Sequence, residues 1–332
     1  MKLRTIDLFC GGGGSSWGAQ IAGAEIIAGI DAWELACDVY QDNFQHARVV
    51  NRMLKPRSSA RVLDGIGEID LLLASPECTN HTCAKGNRPV DENSRGTARY
   101  VLNFARHFEP RWIVLENVVH MRSWSGYSDL ISKLERDYHV SPQILDASKF
   151  GVPQKRRRLF LVCDREAPPP EILPQPGCAS LTAADILDPP GTWSAGPLFD
   201  NNRAEGTIAR AQRAIDALGE GEPFLVVYYG SDGSGGWQPL GRPLRTLTTL
   251  DRFGLIEWDS GRPTLRMLQV PELRRAMGFS DHYRLDRGTR RDRIKVLGNS
   301  VAPPVMEAIV SQLTNPHKRV VGSQQPLPLK AA

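Results

Sequence analysis

The run Asp70-Leu-Leu-Leu-Ala-Ser-Pro-Glu-Cys78 constrains this chain most tightly. Four apolar residues pass without a polar interruption into a small-residue, proline-marked break. An unbroken apolar run of this length reads as a strand buried on both faces, as in a parallel sheet. In open α/β sheets, ligands sit outside the carboxyl ends of such strands. Cys78 therefore falls where a nucleophile would sit.

The segments around it alternate between strand and helix. Thr5–Phe9 reads as a first strand, followed by Cys10-Gly-Gly-Gly-Gly14 and a helix starting near Ser15 or Ser16. Strand, glycine turn and helix N-terminus form a phosphate- or cofactor-binding opening. Glu25–Ile30 gives a second strand ending at Asp31, 20 positions beyond Gly11, where a carboxylate that grips ribose hydroxyls belongs. Further short strands are expected at Arg61–Leu63, Asp70–Ala74, Trp112–Leu115, Gln143–Leu145 and Arg158–Val162, giving a doubly wound α/β sheet. The glycine run lacks the G-x-G-x-x-G spacing of a NAD-binding turn.

Composition shifts at the proline-rich stretch 167–177, which continues neither helix nor sheet. The expected division is 1–166 for a catalytic and cofactor domain, 167–179 for a linker and 180–262 for a smaller, mostly β or irregular domain. C-terminal helices are expected in 263–314 and a disordered tail in 315–332. In the second domain, Phe224–Tyr229, Arg245–Thr249 and Phe253–Trp258 read as strands, with a glycine-rich loop at 230–236. Helices are expected near Val270–Met277 and Pro304–Leu313.

With 332 residues, 41% hydrophobic and 23% charged, the chain suits a soluble globular protein, and no apolar run approaches a membrane span. No signal peptide is evident at the start, and six scattered cysteines fit a reducing cytoplasm. A net charge of +4 permits a nucleic-acid partner without demanding one.

Six motifs in order resemble the cytosine-C5 DNA methyltransferase family across nearly the whole chain. Asp7–Gly14 resembles the turn that holds S-adenosylmethionine, and Ser75-Pro-Glu-Cys78 resembles the catalytic Pro-Cys motif. Glu116-Asn-Val118, Gln154-Lys-Arg-Arg-Arg158, Leu268–Phe279 and Gly298-Asn-Ser-Val301 resemble the later motifs, the last of which returns to complete the cofactor site. The resemblance implies a Rossmann-like methyltransferase domain with a target-recognition domain. It implies a monomer that acts on duplex DNA with S-adenosylmethionine as donor, alongside a cognate restriction endonuclease. RNA of the tRNA type, an altered donor or a modified base are the alternatives.

Carbon 5 of cytosine is a weak nucleophile, and thiolate addition at C6 makes it enamine-like. A thiolate suits this step because it attacks well and leaves tolerably. By the resemblance Cys78 is that nucleophile, Glu116 serves N3 of the base, and Arg156 and Arg158 hold O2 beside Asn117. Alternation along a strand turns Arg156 and Arg158 to one face and Arg157 to the other. Cys10, Cys37, Cys163 and Cys178 read as ordinary buried cysteines.

The implied cofactor set is Asp7, Phe9, Gly11, Gly12, Gly13, Gly14, Asp31, Pro76, Asn299, Ser300 and Val301, together with Asp64, which reads equally as a turn carboxylate. A stacked base cannot reach Cys78, so the target must be flipped out, with 79–99 as the loop that closes over it. Lys85, Arg88, Arg95 and Arg99 are candidate phosphate contacts there, and Gln154, Arg245 and Thr246 candidate DNA contacts elsewhere. Trp237 and Gln238 either fill the vacated stack or pack at a loop edge.

Two departures stand out. Glu77 replaces the usual proline before the nucleophile, and Ala32 replaces the adenine-stacking tryptophan, with Trp33 adjacent. Cys78-x-x-His81-x-Cys83 also offers three soft metal ligands, with no fourth nearby.

Overall fold

The computed structural model describes residues 2–77, 96–229 and 236–315. Its first sheet has seven strands: β1 (Leu3–Leu8), β2 (Ala24–Asp31), β3 (Arg48–Asn51), β4 (Leu71–Ala74), β5 (Trp112–Asn117), β6 (His139–Asp146) and β7 (Arg157–Asp164). Their order is β3-β2-β1-β4-β5-β7-β6. The first five are mutually parallel, and β7 runs antiparallel to both β5 and β6.

The apolar run of β4 is buried at all four positions. Leu72 and Ala74 join Ile6, Leu8, Ile113 and Leu115 in one core cluster, while Leu71 and Leu73 join Val114, Phe160 and Val162 in another. Alternating side chains thus enter two separate cores, which is why no polar residue interrupts the run. Each buried leucine contributes about 1.5–3 kcal/mol.

Helices α1 (Gly14–Ile21), α2 (Glu34–Asn43), α3 (Val101–Phe108) and α4 (Tyr127–Leu134) connect these strands. Later come α5 (Glu205–Leu218), α6 (Val270–Ala276), α7 (Arg290–Asn299) and α8 (Pro303–Thr314). The last packs on the first: a Cβ at Gly18 would lie 2.3 Å from the Pro303 carbonyl oxygen and 2.9 Å from Met306 Cβ. Only glycine allows that approach.

A second, antiparallel sheet contains β8 (Gly196–Pro197), β9 (Phe224–Val227), β10 (Trp237–Pro239), β11 (Phe253–Asp259) and β12 (Arg262–Met267), ordered β10-β9-β11-β12-β8. Phe224 and Val226 face α5, whereas Leu225 and Val227 join the core that holds Val152, Leu244 and Leu247. No helix among the described residues is long and apolar enough to cross a membrane.

Several local expectations need correction. Arg61–Leu63 belongs to a 3-10 turn over Ala60–Leu63, and the outer strand is instead β3, whose two valines make too short a pattern to stand out. Arg245–Thr249 forms no strand and joins neither sheet; its neighbour Leu244 exchanges backbone hydrogen bonds with Pro153 and Lys155. Cys178 is exposed, because it follows the turn at Gly177 rather than entering a core. Helices α5 and α7 were not anticipated, although the capping box of Thr289 and Asp292 marks the start of α7.

Candidate active site

A cavity of about 580 Å³ opens at the carboxyl ends of β1, β2, β4 and β5. It spans the point where β1 has neighbours on both sides, the switch point at which open α/β sheets bind ligands. One end is walled by Phe9, Gly11, Gly12, Gly14, Asp31 and Trp33, the other by Ser75, Pro76, Glu77, Glu116, Arg156 and Arg158. Lys295, Asn299, Ser300 and Val301 close it from the C-terminal part of the chain.

The first end has the features of a nucleoside site. Phe9, Gly11 and Gly13 all take positive φ, which folds the strand end sharply back into α1. Tyr283 donates its hydroxyl hydrogen to the Gly12 carbonyl at 2.6 Å, and a Cβ at Gly12 would lie 2.5 Å from Val296. Gly13 lies behind the turn, where a Cβ would meet Phe44.

Asp31 accepts from Gly11 N at 2.9 Å and from Trp33 N at 2.8 Å. Each oxygen keeps lone pairs for a ligand hydroxyl. Burial pushes this carboxyl above its usual range, against the pull of those backbone donors and of Lys295. The Trp33 ring lines the cavity with the Lys295 ammonium 4.0 Å from its centroid, so an aromatic face is present one position beyond Ala32. The glycine turn, a carboxylate with lone pairs to spare and an aromatic face together fit S-adenosylmethionine.

Besides Gly13, two further expected cofactor residues are placed differently. Asp7 is fully buried beneath the glycine turn, where it accepts from Ser16 Oγ at 2.7 Å; that hydroxyl also lies 2.7 Å from the Tyr40 hydroxyl. Asp64 is not in the cavity wall. It lies on the outside of the fold, where it pairs with His107 at 3.1 Å. The wall at this end comes instead from Arg52, Met53, Leu54 and Lys55, which follow the unanticipated β3.

Burial, only partly offset by the Ser16 hydrogen bond, pushes the Asp7 carboxyl up to about 7. The unfolded chain releases this proton near pH 4, whereas the folded chain keeps it. Stability from this group is therefore full at low pH and lost as pH climbs from about 4 to about 7. At about 1.4 kcal/mol per pKa unit, the loss is on the order of 4 kcal/mol. Asp7→Asn should gain stability relative to wild type through this window in urea unfolding. Parallel pH curves for the two proteins would contradict the assignment.

At the other end, Glu116 is buried near the end of β5, and Arg158 Nε lies 3.1 Å from its Oε1. Burial raises the Glu116 carboxyl above its usual range, more than Arg158 and Arg156 lower it. Asn117 donates to the Pro76 carbonyl at 3.2 Å and accepts from Val118 N at 2.8 Å, pinning the segment that leads to position 78. Arg156 and Arg158 both reach the cavity while Arg157 is exposed, as alternation required. The Arg156 guanidinium, however, donates to the carbonyls of Leu247, Gly298 and Ser300 at 3.0, 2.9 and 3.0 Å. Arg158 keeps its guanidinium beside Glu116. Glu77 is exposed at the cavity wall.

Cys78, His81, Cys83, Lys85, Arg88 and Arg95 lie outside the described residues, as does 316–332. Arg99 pairs with Asp129 at 3.3 Å and stacks on Trp124. Gln154 and Gln238 are corrected from DNA contacts to internal struts, because both are buried. Gln154 donates to the Ala276 carbonyl at 3.0 Å and accepts from Leu247 N at 2.9 Å, while Gln238 accepts from Arg245 N at 3.1 Å. Trp237 packs edge-on against Phe224, the packed reading of that residue. Arg245 donates to the Trp237 carbonyl and Thr246 to that of Lys155. Lys295 and Arg52–Lys55 carried no signal beyond their charges.

The profile of the C-5 cytosine-specific DNA methylases matches residues 3–214 and 235–315, and the chain belongs to that family. Among curated relatives, Type II methyltransferase M.HgiDI of Herpetosiphon aurantiacus is 33% identical over 65% of this chain and 74% of its own. For M.AplI of Arthrospira platensis the identity is 27%, over 94% and 86% of the two chains. The chain matches about half the length of M.HindV of Haemophilus influenzae, at 34% identity over 48% of this chain. The fold is shared with Schizosaccharomyces pombe Dnmt2, with TM-score 0.64, 17% identity and coverage of 95% and 99%.

Proposed function

We propose that this chain is a DNA (cytosine-5-)-methyltransferase. The observation that carries the reading is the pair of buried Glu116 and half-buried Arg158, at the strand end and facing the cavity beside the segment that leads to Cys78. A flipped cytosine placed there meets a carboxyl for N3 and a guanidinium for O2.

In the proposed sequence, the Cys78 thiolate adds to C6 and pushes electron density toward N3 and O2. Glu116, whose carboxyl burial lifts above its usual range, hydrogen-bonds N3, and Arg158 stabilises the charge on O2. S-adenosylmethionine supplies an electrophilic methyl group for C5. Solvent water then takes the C5 proton, and the electron pair of that C–H bond restores the double bond as the C6–S bond breaks and the thiolate leaves. Asn117 holds Pro76 and so orients the nucleophile's segment, while Arg156 ties the cavity floor to the C-terminal closure. Asp31 and Trp33 hold the ribose and the adenine. Duplex DNA is the proposed substrate, the chain acting as a monomer in the cytoplasm with a restriction endonuclease of the same specificity.

The test is the intact mass of wild type and Cys78→Ser after incubation with S-adenosylmethionine and a duplex library containing 5-fluorocytosine. Fluorine cannot leave as a proton does, so wild type should become trapped on its DNA and the serine variant should not. Trapping on tRNA instead would move the substrate to RNA. No adduct on either, with cofactor binding intact, would point to Glu77 and a changed donor or base.

A further inference from the structure

Behind the cavity rim lies a second concavity, of about 360 Å³, between the 56–61 segment and α3. Residues 48–61 carry five cationic side chains and no acidic one. Arg52 and Lys55 of this stretch stand at the cavity wall, and Arg57 and Arg61 line the second concavity together with Arg106 of α3. All five are exposed. The side chains of Arg57, Arg61 and Arg106 make no hydrogen bond or ion pair with another described residue, unlike Arg158 or Arg266. The nearby acid, Asp64, is engaged by His107, whose ring also borders the concavity.

The backbone here is built rather than loose. Asn103 donates to the carbonyls of Pro56 and Ser58 at 3.2 and 3.4 Å, fastening the segment to α3. Ser58 Oγ accepts from Lys55 N at 2.8 Å, and Ser59 Oγ from Arg61 N at 3.2 Å. Leu54, Ala60 and Leu63 are buried beneath, in the same core as Phe104. A fixed scaffold that holds three unneutralised guanidinium groups around one hollow raises its own energy by their mutual repulsion. An anion in the hollow relieves it, and guanidinium forks match phosphate oxygens.

We propose that this concavity is a phosphate-binding exosite that takes a backbone phosphate of the substrate duplex away from the target base. Arg52 and Lys55 continue the basic track from the cavity to it. This rests on the reading of the chain as a DNA-acting enzyme. Backbone contacts of this kind supply affinity and register without reading sequence.

The test uses the triple variant Arg57→Gln, Arg61→Gln, Arg106→Gln, with fluorescein-labelled random-sequence duplexes of roughly 12 and about 30 base pairs titrated by anisotropy across a salt series. For the longer duplex, the slope of log K against log salt should become shallower by about 0.9 in the variant, the value for the one phosphate that is no longer neutralised. Binding of the short duplex, S-adenosylmethionine affinity and methylation of a short duplex should be unchanged. An unchanged slope in a protein whose wild type methylates duplex DNA would overturn the exosite alone. A wild type that binds neither duplex would overturn it together with the reading it rests on. Thermal stabilisation of wild type but not the variant by inorganic phosphate, with equal DNA slopes, would reassign the hollow to free phosphate and overturn the duplex assignment.

Discussion

Glu116→Gln should slow single-turnover methyl transfer by about 10²–10⁴-fold while leaving S-adenosylmethionine affinity within a factor of two or so. The amide keeps the size and a hydrogen-bonding edge but has no proton to give to N3. Because burial lifts the Glu116 carboxyl above its usual range, the protonated form persists to higher pH than in an exposed glutamate. The rate of the chemical step should fall as pH rises through that raised value, since the acid form is the one required. Arg158 opposes the lift with its positive charge 3.1 Å away. Arg158→Met should therefore move the alkaline limb of the wild-type profile to higher pH while lowering its plateau. A glutamine variant with wild-type transfer rates would remove Glu116 from the chemistry.

Arg156→Met should destabilise the fold by roughly 3–5 kcal/mol, read from urea unfolding, because the Leu247, Gly298 and Ser300 carbonyls lose their donor together. Arg156→Lys should recover less than half of this. One ammonium on a flexible stem cannot span three acceptors that a planar fork reaches at once. Activity should fall with stability, and cofactor affinity with both, since Gly298 and Ser300 flank Asn299 at the cavity. An Arg156 variant of full stability but poor turnover would return the residue to the base-binding role expected from its motif.

The two arginines show what a sequence conveys and what it withholds. Their shared face followed from strand alternation, and both reach the cavity. Their division of labour depended on three carbonyls that lie 91 to 144 positions away in the chain, beyond any local pattern. Leu71–Ala74 was legible because burial on both faces leaves a mark in every residue. The short strand at Arg48–Asn51 was not, and with it went the Arg52–Lys55 wall, for which Asp64 had been expected to supply the acid. Gln154 and Gln238 read as surface contacts because glutamine usually is one. Each is instead buried with its side-chain carbonyl accepting from a backbone amide, that of Leu247 93 positions away for Gln154 and that of Arg245 7 positions away for Gln238.

The seating of α8 on α1 has a consequence for how the protein is made. Gly14 and Gly18 rest against Val301 and Pro303, so the glycine turn acquires its outer wall only from residues some 285 positions later. At about 5–20 residues per second, a ribosome needs roughly 15–60 s to deliver them. During that interval the parallel strands can pair, but the nucleoside pocket stands open on one side. The proposed cofactor pocket is thus complete only once α8 has been made, and a nascent chain stalled before Pro303 should retain no S-adenosylmethionine.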